Sequence, residues 1–155
     1  MSVSSPDLTT IFATVYEKSR EARAEADEEA EAWLEEVRSG ARSEDVVCVT
    51  SGHGGKMEGN HVAGEKHGDL VVPMCIPCHQ KFSQGQKLWP SEWLDERRSP
   101  DIDMMLLLLG LHDLLILRSR HVPDHAVGAY LSLAASLSEQ YQRVARRTVD
   151  RTPAP

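Results

Sequence analysis

The apolar and polar positions of this chain follow a helical rhythm everywhere except in its middle. Apolar residues recur three and four positions apart at both ends of a Gly- and Pro-free run over residues 8–38, which predicts one long helix there. The chain after the middle segment predicts a short helix over 91–98, a helix over 101–120 and a last helix from 123 to 148, with a Ser-Pro pair at 99–100 between the first two. The pattern therefore predicts a mostly helical chain.

The middle of the chain is rich in glycine, which favours turns. Eight of the ten glycines lie within residues 40–85. Short runs at 46–49 and 70–74 have the composition of β-strands, and a further strand is predicted to end at His61. A helical pattern follows over 76–86. The segment is thus predicted to form a small β-containing unit that ends in a helix.

These patterns together predict an α+β fold with four divisions. They are an acidic N-terminal helix over 1–44, a β-containing module over 45–88, a C-terminal helical region over 91–148 and a disordered tail over 149–155. The net charge is also unevenly distributed over these divisions, because residues 1–44 carry −6 of the total of −7. An acidic total works against polyanion binding, so nucleic acid is expected to meet the middle segment or the Arg-bearing last helix.

The run from Met104 to Leu117 is apolar on nearly every face but is too short for a membrane span. It holds 14 residues, interrupted by His112 and Asp113, whereas a span needs roughly 18 or more. Such a helix must be covered on all sides, so self-association or a protein partner is a hypothesis. The start MSVSSPDL lacks a basic region followed by an apolar one, so no secretory signal and a cytoplasmic location are expected.

Three cysteines in this setting favour metal or thiol chemistry over a disulfide framework. Cys75-Ile-Pro-Cys78 has the spacing with which two thiolates grip one zinc ion, and Cys48 is a third candidate ligand. His53 is the predicted fourth ligand, the alternative being a solvent-exposed loop histidine. A thioredoxin-like redox pair and two buried thiols are the competing interpretations of the Cys-x-x-Cys pair.

Asn60, His61 and His79 form a second group of candidate ligands and proton carriers. His61 follows Asn60 at the end of a predicted strand, and His79 directly follows Cys78 at the start of a predicted helix. A hairpin packed on that helix would bring the imidazoles and the amide oxygen together. Such a group can hold a catalytic cation, while a neutral histidine takes a proton from the attacking water.

The stretch NHVAG…DLVVPMCIPCH resembles the HNH endonucleases, which have a ββα-metal fold with a structural zinc. The resemblance covers residues 48–83. It implies that His61 is the general base, that His79 and Asn60 hold the catalytic cation, and that Asp69 stands near the central Asn of the family. Each residue also has a structural alternative: a hairpin histidine for His61, a cap or an extra zinc contact for His79, and a turn residue for Asp69.

The resemblance also carries the zinc site, with two departures from the family. The three cysteines match three of the four zinc cysteines, and Ser51 stands where the fourth is usual. Asn60 stands where the family usually has Asp or His, and a neutral oxygen is a weaker ligand for a hard cation than a carboxylate. Asp69, a carboxylate near the family's amide position, is therefore a candidate ligand that would supply the missing charge.

The function implied is cleavage of phosphodiester bonds in nucleic acid, with DNA as the expected form. The expected cofactors are a structural Zn²⁺ and a catalytic Mg²⁺, Mn²⁺ or Ni²⁺. Exposed lysines around the motif are candidate phosphate contacts: Lys56, Lys66, Lys81 and Lys87. His67, in the loop between the strands, is expected to be solvated. The alternative function is a non-catalytic, zinc-binding module that docks a protein partner or nucleic acid.

Overall fold

The computed structural model of the chain describes residues 8–40, 47–94 and 99–150. The described part is mostly helical with one two-stranded sheet, which confirms the α+β prediction. The elements in chain order are α1 (Leu8–Arg38), β1 (Met57–His61), β2 (Val71–Cys75), α2 (Ile76–Gln86), α3 (Ser91–Leu94), α4 (Pro100–Ser119) and α5 (Asp124–Asp150).

Helix α4 forms the centre of the fold. It packs against α5 on one side and against α2 on another, and α1 packs against α5. Leu106, Leu114 and Leu115 of α4 are fully buried, while Met104 stays 48% exposed. The cover that this apolar helix requires thus comes largely from the chain itself, and self-association stays a prediction. Within the described residues, no helix combines the length and the apolar character that crossing a membrane requires.

Helix α1 is packed along its second half only. Ala26, Ala30 and Val37 are buried there, and the ring of Trp33 meets that of Tyr130 in α5 with 5.7 Å between centroids. The apolar stripe predicted at the start of the helix is instead exposed to solvent, at Ile11, Phe12, Val15 and Tyr16. The helix is therefore long enough to extend beyond the surface of α5 that covers it.

Strands β1 and β2 form an antiparallel hairpin whose pairing fixes which side chains share a face. Asn60 pairs with Val72 and His61 with Val71. The backbone of Val62, just after β1, lies against Gly110 of α4, where a Cβ atom would come within 1.9 Å of the Val62 carbonyl oxygen. Because only glycine fits this approach, Gly110 sets how closely the hairpin packs on α4.

Several helix ends differ from the predicted ones by a few residues. Helix α4 begins at Pro100 with Ser99 as its N-cap, and not at Asp101, because a proline fits the first turn, where no backbone N–H is needed. Helix α5 continues to Asp150, two residues into the predicted tail. The short helix α3 ends at Leu94, and residues 95–98 of its predicted range lie outside the described residues.

Candidate metal and catalytic centre

Three cysteine sulfurs meet where the strand β2 passes into the helix α2. Cys75 ends β2, Cys78 lies in the first turn of α2, and Cys48 comes from the loop before β1. The Sγ atoms of the three all lie within 4.8 Å of one another. Such a group of thiols could hold a metal ion such as zinc, which binds readily to three or four thiolates. The prediction that these cysteines form one metal-binding group is therefore supported by the geometry.

Backbone hydrogen bonds bring the loop of Cys48 to the other two cysteines. The amide of Val49 donates to the Pro73 carbonyl of β2 at 2.9 Å, which attaches the loop to the hairpin. A tight turn follows, in which the Gly52 amide donates to the Cys48 carbonyl at 2.8 Å. Gly52 has a φ of 72°, a conformation that glycine adopts without strain. Backbone contacts between the loop and the hairpin thus bring the three cysteines together.

Hydroxyl groups, and not an imidazole, lie beside these sulfurs. The Oγ of Ser51 is 3.7 Å from the Sγ of Cys75, and the Oγ1 of Thr50 is 3.2 Å from the Sγ of Cys48. His53, the predicted fourth ligand, is exposed and does not belong to the group of ligand atoms found among the described residues. Its ring lies near that of His121, with 6.2 Å between centroids. His53 as a zinc ligand therefore stays a prediction.

The surroundings separate the acidities of two of the thiols. Burial by itself raises the pKa of Cys48, but hydrogen bonds from Ser51, from the Thr50 hydroxyl and from the Cys75 backbone outweigh burial and lower that pKa to about 6. Burial raises the pKa of Cys78 above its usual range. Cys48 is thus more ready than Cys78 to act as a thiolate ligand near neutral pH.

A second polar group joins the face of β1 that α2 covers. Glu58 and Asn60 share this face because side chains alternate along a strand, and their cross-strand partners Met74 and Val72 are fully buried. The Nδ1 atom of His79 is hydrogen-bonded to the Oε2 atom of Glu58. Asn60 is 3% exposed, and its Oδ1 has no hydrogen-bond partner within the described part of the chain.

His61 is held at the end of β1 by one contact of its ring and one of its backbone carbonyl. Its Nδ1 lies 3.2 Å from the carbonyl oxygen of Gly68, in the loop between the strands. Its own carbonyl accepts a hydrogen bond from the Gln86 side chain of α2 at 3.0 Å. A carbonyl oxygen can only accept, so Nδ1 carries the proton and Nε2 of the neutral ring keeps its lone pair.

Asp69 and the candidate lysines lie on the surface, whereas His67 is buried. Asp69 is exposed in the loop between the strands, and its part in a cation site stays a prediction. All four candidate lysines are exposed. His67 is only 4% exposed, and its Nδ1 is 3.0 Å from the Oδ1 of Asp103 in α4. The expectation that His67 is solvated is therefore wrong, because this contact joins the loop to the helix.

Positive charge collects beside the cysteine group although the chain as a whole is acidic. Burial, followed by the charges of His53, Lys81, Arg118 and Arg120, lowers the pKa of His121. The Nη1 of Arg118 also donates to the carbonyl of Thr50 at 3.0 Å, next to the cysteines. Lys81 and Arg120 line a groove of about 240 Å³ between α2 and α4. The loop that carries His53, α2 and the end of α4 thus contribute cationic side chains to one surface, although Asp113 also lines the groove.

Comparison with known proteins gives no match: no family model matches the chain, and neither a curated protein nor a solved structure matches it. The resemblance to the HNH endonucleases therefore depends on the residues and their arrangement in this chain alone.

One functional candidate, Glu58, lies outside the motif but can be recognised from the spacing of residues along the strand β1. Glu58 stands two positions before Asn60, and the period of a strand puts both on one face. Alternation counted back from Asn60 therefore includes Glu58 with the candidate ligands. Ser51 and Thr50 were equally visible from their spacing after Cys48, but only the fold shows that their hydroxyls lie against sulfur.

Proposed function

We propose that this protein is a metal-dependent endonuclease of the HNH type that hydrolyses phosphodiester bonds in nucleic acid, with DNA as its expected substrate. The observation that carries the proposal is the contact between His61 and Gly68, which gives the ring a fixed orientation and, in its neutral form, leaves the lone pair on Nε2. A histidine held in this way, at the end of a hairpin packed on the helix that carries His79, has what a general base requires.

In the proposed reaction the chain orients the reactants and moves one proton. The Nε2 of His61 accepts a proton from the attacking water as the water oxygen forms its bond to phosphorus. Asn60 and His79 would hold a divalent cation, which when bound polarises the scissile phosphate and stabilises the charge of the leaving oxygen. The carbonyl of Gly68 keeps its hydrogen bond to Nδ1 and stabilises the imidazolium that His61 becomes.

The cysteine group has a structural part in this proposal. Cys78 and His79 are neighbours in the first turn of α2. A zinc ion held by the three thiolates would fix the start of α2 against the end of β2, and His79 with it. The zinc site thus supports the orientation of His79 without taking part in the chemistry.

Binding of nucleic acid is supported by the positively charged surface beside the cysteine group. Lys81 and Arg120 are exposed there, and cationic side chains provide the salt-dependent contacts to phosphate. The negative charge of α1 lies on a different segment, 17–36. Contacts of this kind go to the backbone, so weak sequence preference is expected.

A second candidate function is a non-catalytic module that binds zinc and docks a protein partner. It is favoured by the neutral Asn60 at the cation position and by the exposed apolar stripe of α1, which includes Phe12 at 72% exposure. Exposed apolar faces of this kind commonly mark interaction surfaces. In this function the arrangement around His61 would have no chemical role.

Nicking of supercoiled plasmid DNA distinguishes the two functions. Zinc-loaded protein is incubated with plasmid and Mg²⁺, Mn²⁺ or Ni²⁺, as wild type, as His61→Ala and as His125→Ala, which removes an exposed histidine of α5. The proposal expects nicking by wild type and His125→Ala, and a rate at least about 100-fold lower for His61→Ala. Absence of nicking with every cation, or equal rates for all three proteins, would favour the interaction module.

A further inference from the structure

Glu58 makes a contact with His79 that determines which ring nitrogen carries the proton. The Nδ1 of His79 and the Oε2 of Glu58 are hydrogen-bonded across the gap between α2 and β1. An ionised carboxylate can only accept, so Nδ1 must carry the proton and donate it. A neutral imidazole with its proton on Nδ1 has its lone pair on Nε2. The carboxylate thus selects the form of His79 that offers Nε2 to a cation.

Asn60 supplies a buried amide oxygen that has no hydrogen-bond partner among the described residues. The residue follows Glu58 by two positions and shares its face of β1. Its side chain is 3% exposed, and in the described part of the chain its Oδ1 has no hydrogen bond. A buried amide oxygen in this state destabilises a fold unless another group binds it. A cation is such a group, because amide oxygens are metal ligands.

We infer that Glu58 is the positioning residue of a divalent-cation site in which His79 Nε2 and Asn60 Oδ1 are the protein ligands. The inference rests on the proposed function, since the site is the one that the reaction needs. Glu58 lies outside the motif, and its carboxylate is the reason why a neutral amide at Asn60 is sufficient for cation binding. Glu58 would orient the ring of His79, as carboxylates beside metal-bound histidines do.

The donor set also indicates which cations the site prefers. Imidazole nitrogen suits first-row transition metals, whereas Mg²⁺ favours carboxylates and water. As ligands, the amide of Asn60 and the neutral imidazole of His79 bring no negative charge to the cation. Glu58 acts through its hydrogen bond to that imidazole. The side chains of His79 and Glu58 are 31% and 40% exposed, so the site has an open side for water and phosphate. Mn²⁺ or Ni²⁺ is therefore expected to bind more tightly than Mg²⁺.

The tautomer of His79 provides a test that needs neither metal nor substrate. Ring nitrogens of the zinc-loaded protein are followed by nitrogen-15 NMR at pH 8, in wild type, Glu58→Ala, Glu58→Gln and Glu65→Ala. Glu65 is an exposed acid in the loop after β1 and serves as the matched control. His79 should carry its proton on Nδ1 in wild type and Glu65→Ala, change towards the other tautomer in Glu58→Ala, and be restored in part by Glu58→Gln, which keeps an acceptor. An unchanged tautomer in Glu58→Ala would overturn the inference.

Binding of Mn²⁺ to the same zinc-loaded proteins tests the ligand role. Mn²⁺ competes poorly with zinc for thiolates. We expect Glu58→Ala to weaken Mn²⁺ binding about 10- to 100-fold, Glu58→Gln to lie between it and wild type, and Glu65→Ala to match wild type. In a His79→Ala background, Glu58→Ala should have no further effect, because Glu58 acts through His79. Equal binding by Glu58→Ala and wild type, additive losses, or no binding by wild type would each overturn the inference.

These readouts separate the inference from the proposed function. Plasmid nicking by wild type together with Mn²⁺ binding that ignores Glu58 would overturn the inference alone. Mn²⁺ binding that depends on Glu58, in a protein that nicks no nucleic acid, would support the inference and overturn the proposed function alone.

Discussion

The Nδ1 atom of His61 lies 3.2 Å from the carbonyl oxygen of Gly68, across the loop that joins the two strands. This loop is itself folded by turns, with the amides of Gly64 and His67 donating to the carbonyls of His61 and Gly64 at 3.1 Å each. The orientation of the ring is therefore a property of the loop as a whole. In the proposed reaction, the loop supplies a base whose Nε2 is available before substrate arrives.

Imidazole in solution should restore part of the activity that His61→Ala loses. The variant lacks the base but keeps Asn60 and His79, so a free imidazole can take the proton in its place. We expect nicking to fall at least about 100-fold and to recover with imidazole concentration. Nicking rates in imidazole buffers at one pH measure this, with His79→Ala as the control that imidazole should not restore to the same degree. Equal recovery by both variants would contradict a base role for His61.

Replacing Ser51 by cysteine should strengthen zinc binding. The hydroxyl of Ser51 is 3.7 Å from the sulfur of Cys75, so a thiolate at this position can join the three present ones. Competition with a chromophoric chelator should show at least about a tenfold gain in zinc affinity for Ser51→Cys. Ser136→Cys, on the exposed surface of α5, adds a thiol far along the chain and should leave the affinity unchanged. A gain with both variants would point to non-specific binding by the added thiol.

The low pKa of Cys48 makes the stability of the metal-free protein depend on pH. The pKa of Cys48 is lowered from 9.0 to about 6. Between these two pH values the thiol is therefore ionised in the folded protein and neutral in the unfolded chain. Its contribution is full above pH 9, decreases as pH falls, and is lost as pH passes through about 6. The raised pKa of Cys78 acts in the opposite sense, but only above its ordinary value of 9.0.

Two measurements on metal-free protein check this prediction. Thiolate absorbance at 240 nm should show one group titrating near pH 6 in wild type and none in Cys48→Ser. Denaturant unfolding should show wild type losing stability relative to Cys48→Ser between pH 9 and pH 6. If all thiols titrate together near pH 9, the hydroxyl contacts around Cys48 do not stabilise its thiolate.

Two glycines in helices should respond to alanine in opposite directions. A Cβ at Gly110 would come within 1.9 Å of the Val62 carbonyl oxygen, so Gly110→Ala forces α4 and the hairpin apart. We expect a loss of about 1–3 kcal/mol or more in the free energy of unfolding. Gly128 in α5 has nothing within 4 Å of such a Cβ, and Gly128→Ala should stabilise by about 0.5–1 kcal/mol. Denaturant unfolding of both variants tests this; a stable Gly110→Ala protein would contradict the close approach.

Local sequence signals were sufficient for most of the helices and for the hairpin. The β-type run predicted at 46–49 forms no strand among the described residues, where Val47 makes only an isolated bridge to Gly54. Helices over 8–38 and 76–86 were predicted with the bounds that the structure has. A Gly- and Pro-free run defines the first, and Pro77 at the start of the second fits a helical first turn. Part of the cysteine group also followed from local spacing, because Cys75 is the N-cap of α2 and Cys78 lies in its first turn.

Features that depend on distant partners could not be predicted in the same way. His67 is buried because of Asp103, 36 residues further along the chain. His53 lies near His121 and not at the cysteines, because the residues after α4 come close to the loop that carries His53. The exposed stripe of α1 has the spacing of a packed face, and nothing local in the sequence says how far along α1 the cover of α5 extends.

The most direct test of the central claim is the source of the oxygen in the cleavage product. DNA is cleaved by the zinc-loaded protein with Mn²⁺ in water enriched in oxygen-18, under single-turnover conditions, and the phosphate at the new end is examined by mass spectrometry. The account predicts one oxygen-18 atom per break with wild type, and formation of this product at least about 100-fold more slowly with His61→Ala. Breaks whose phosphate contains no oxygen from water, or equal rates of labelled product from both proteins, would contradict it.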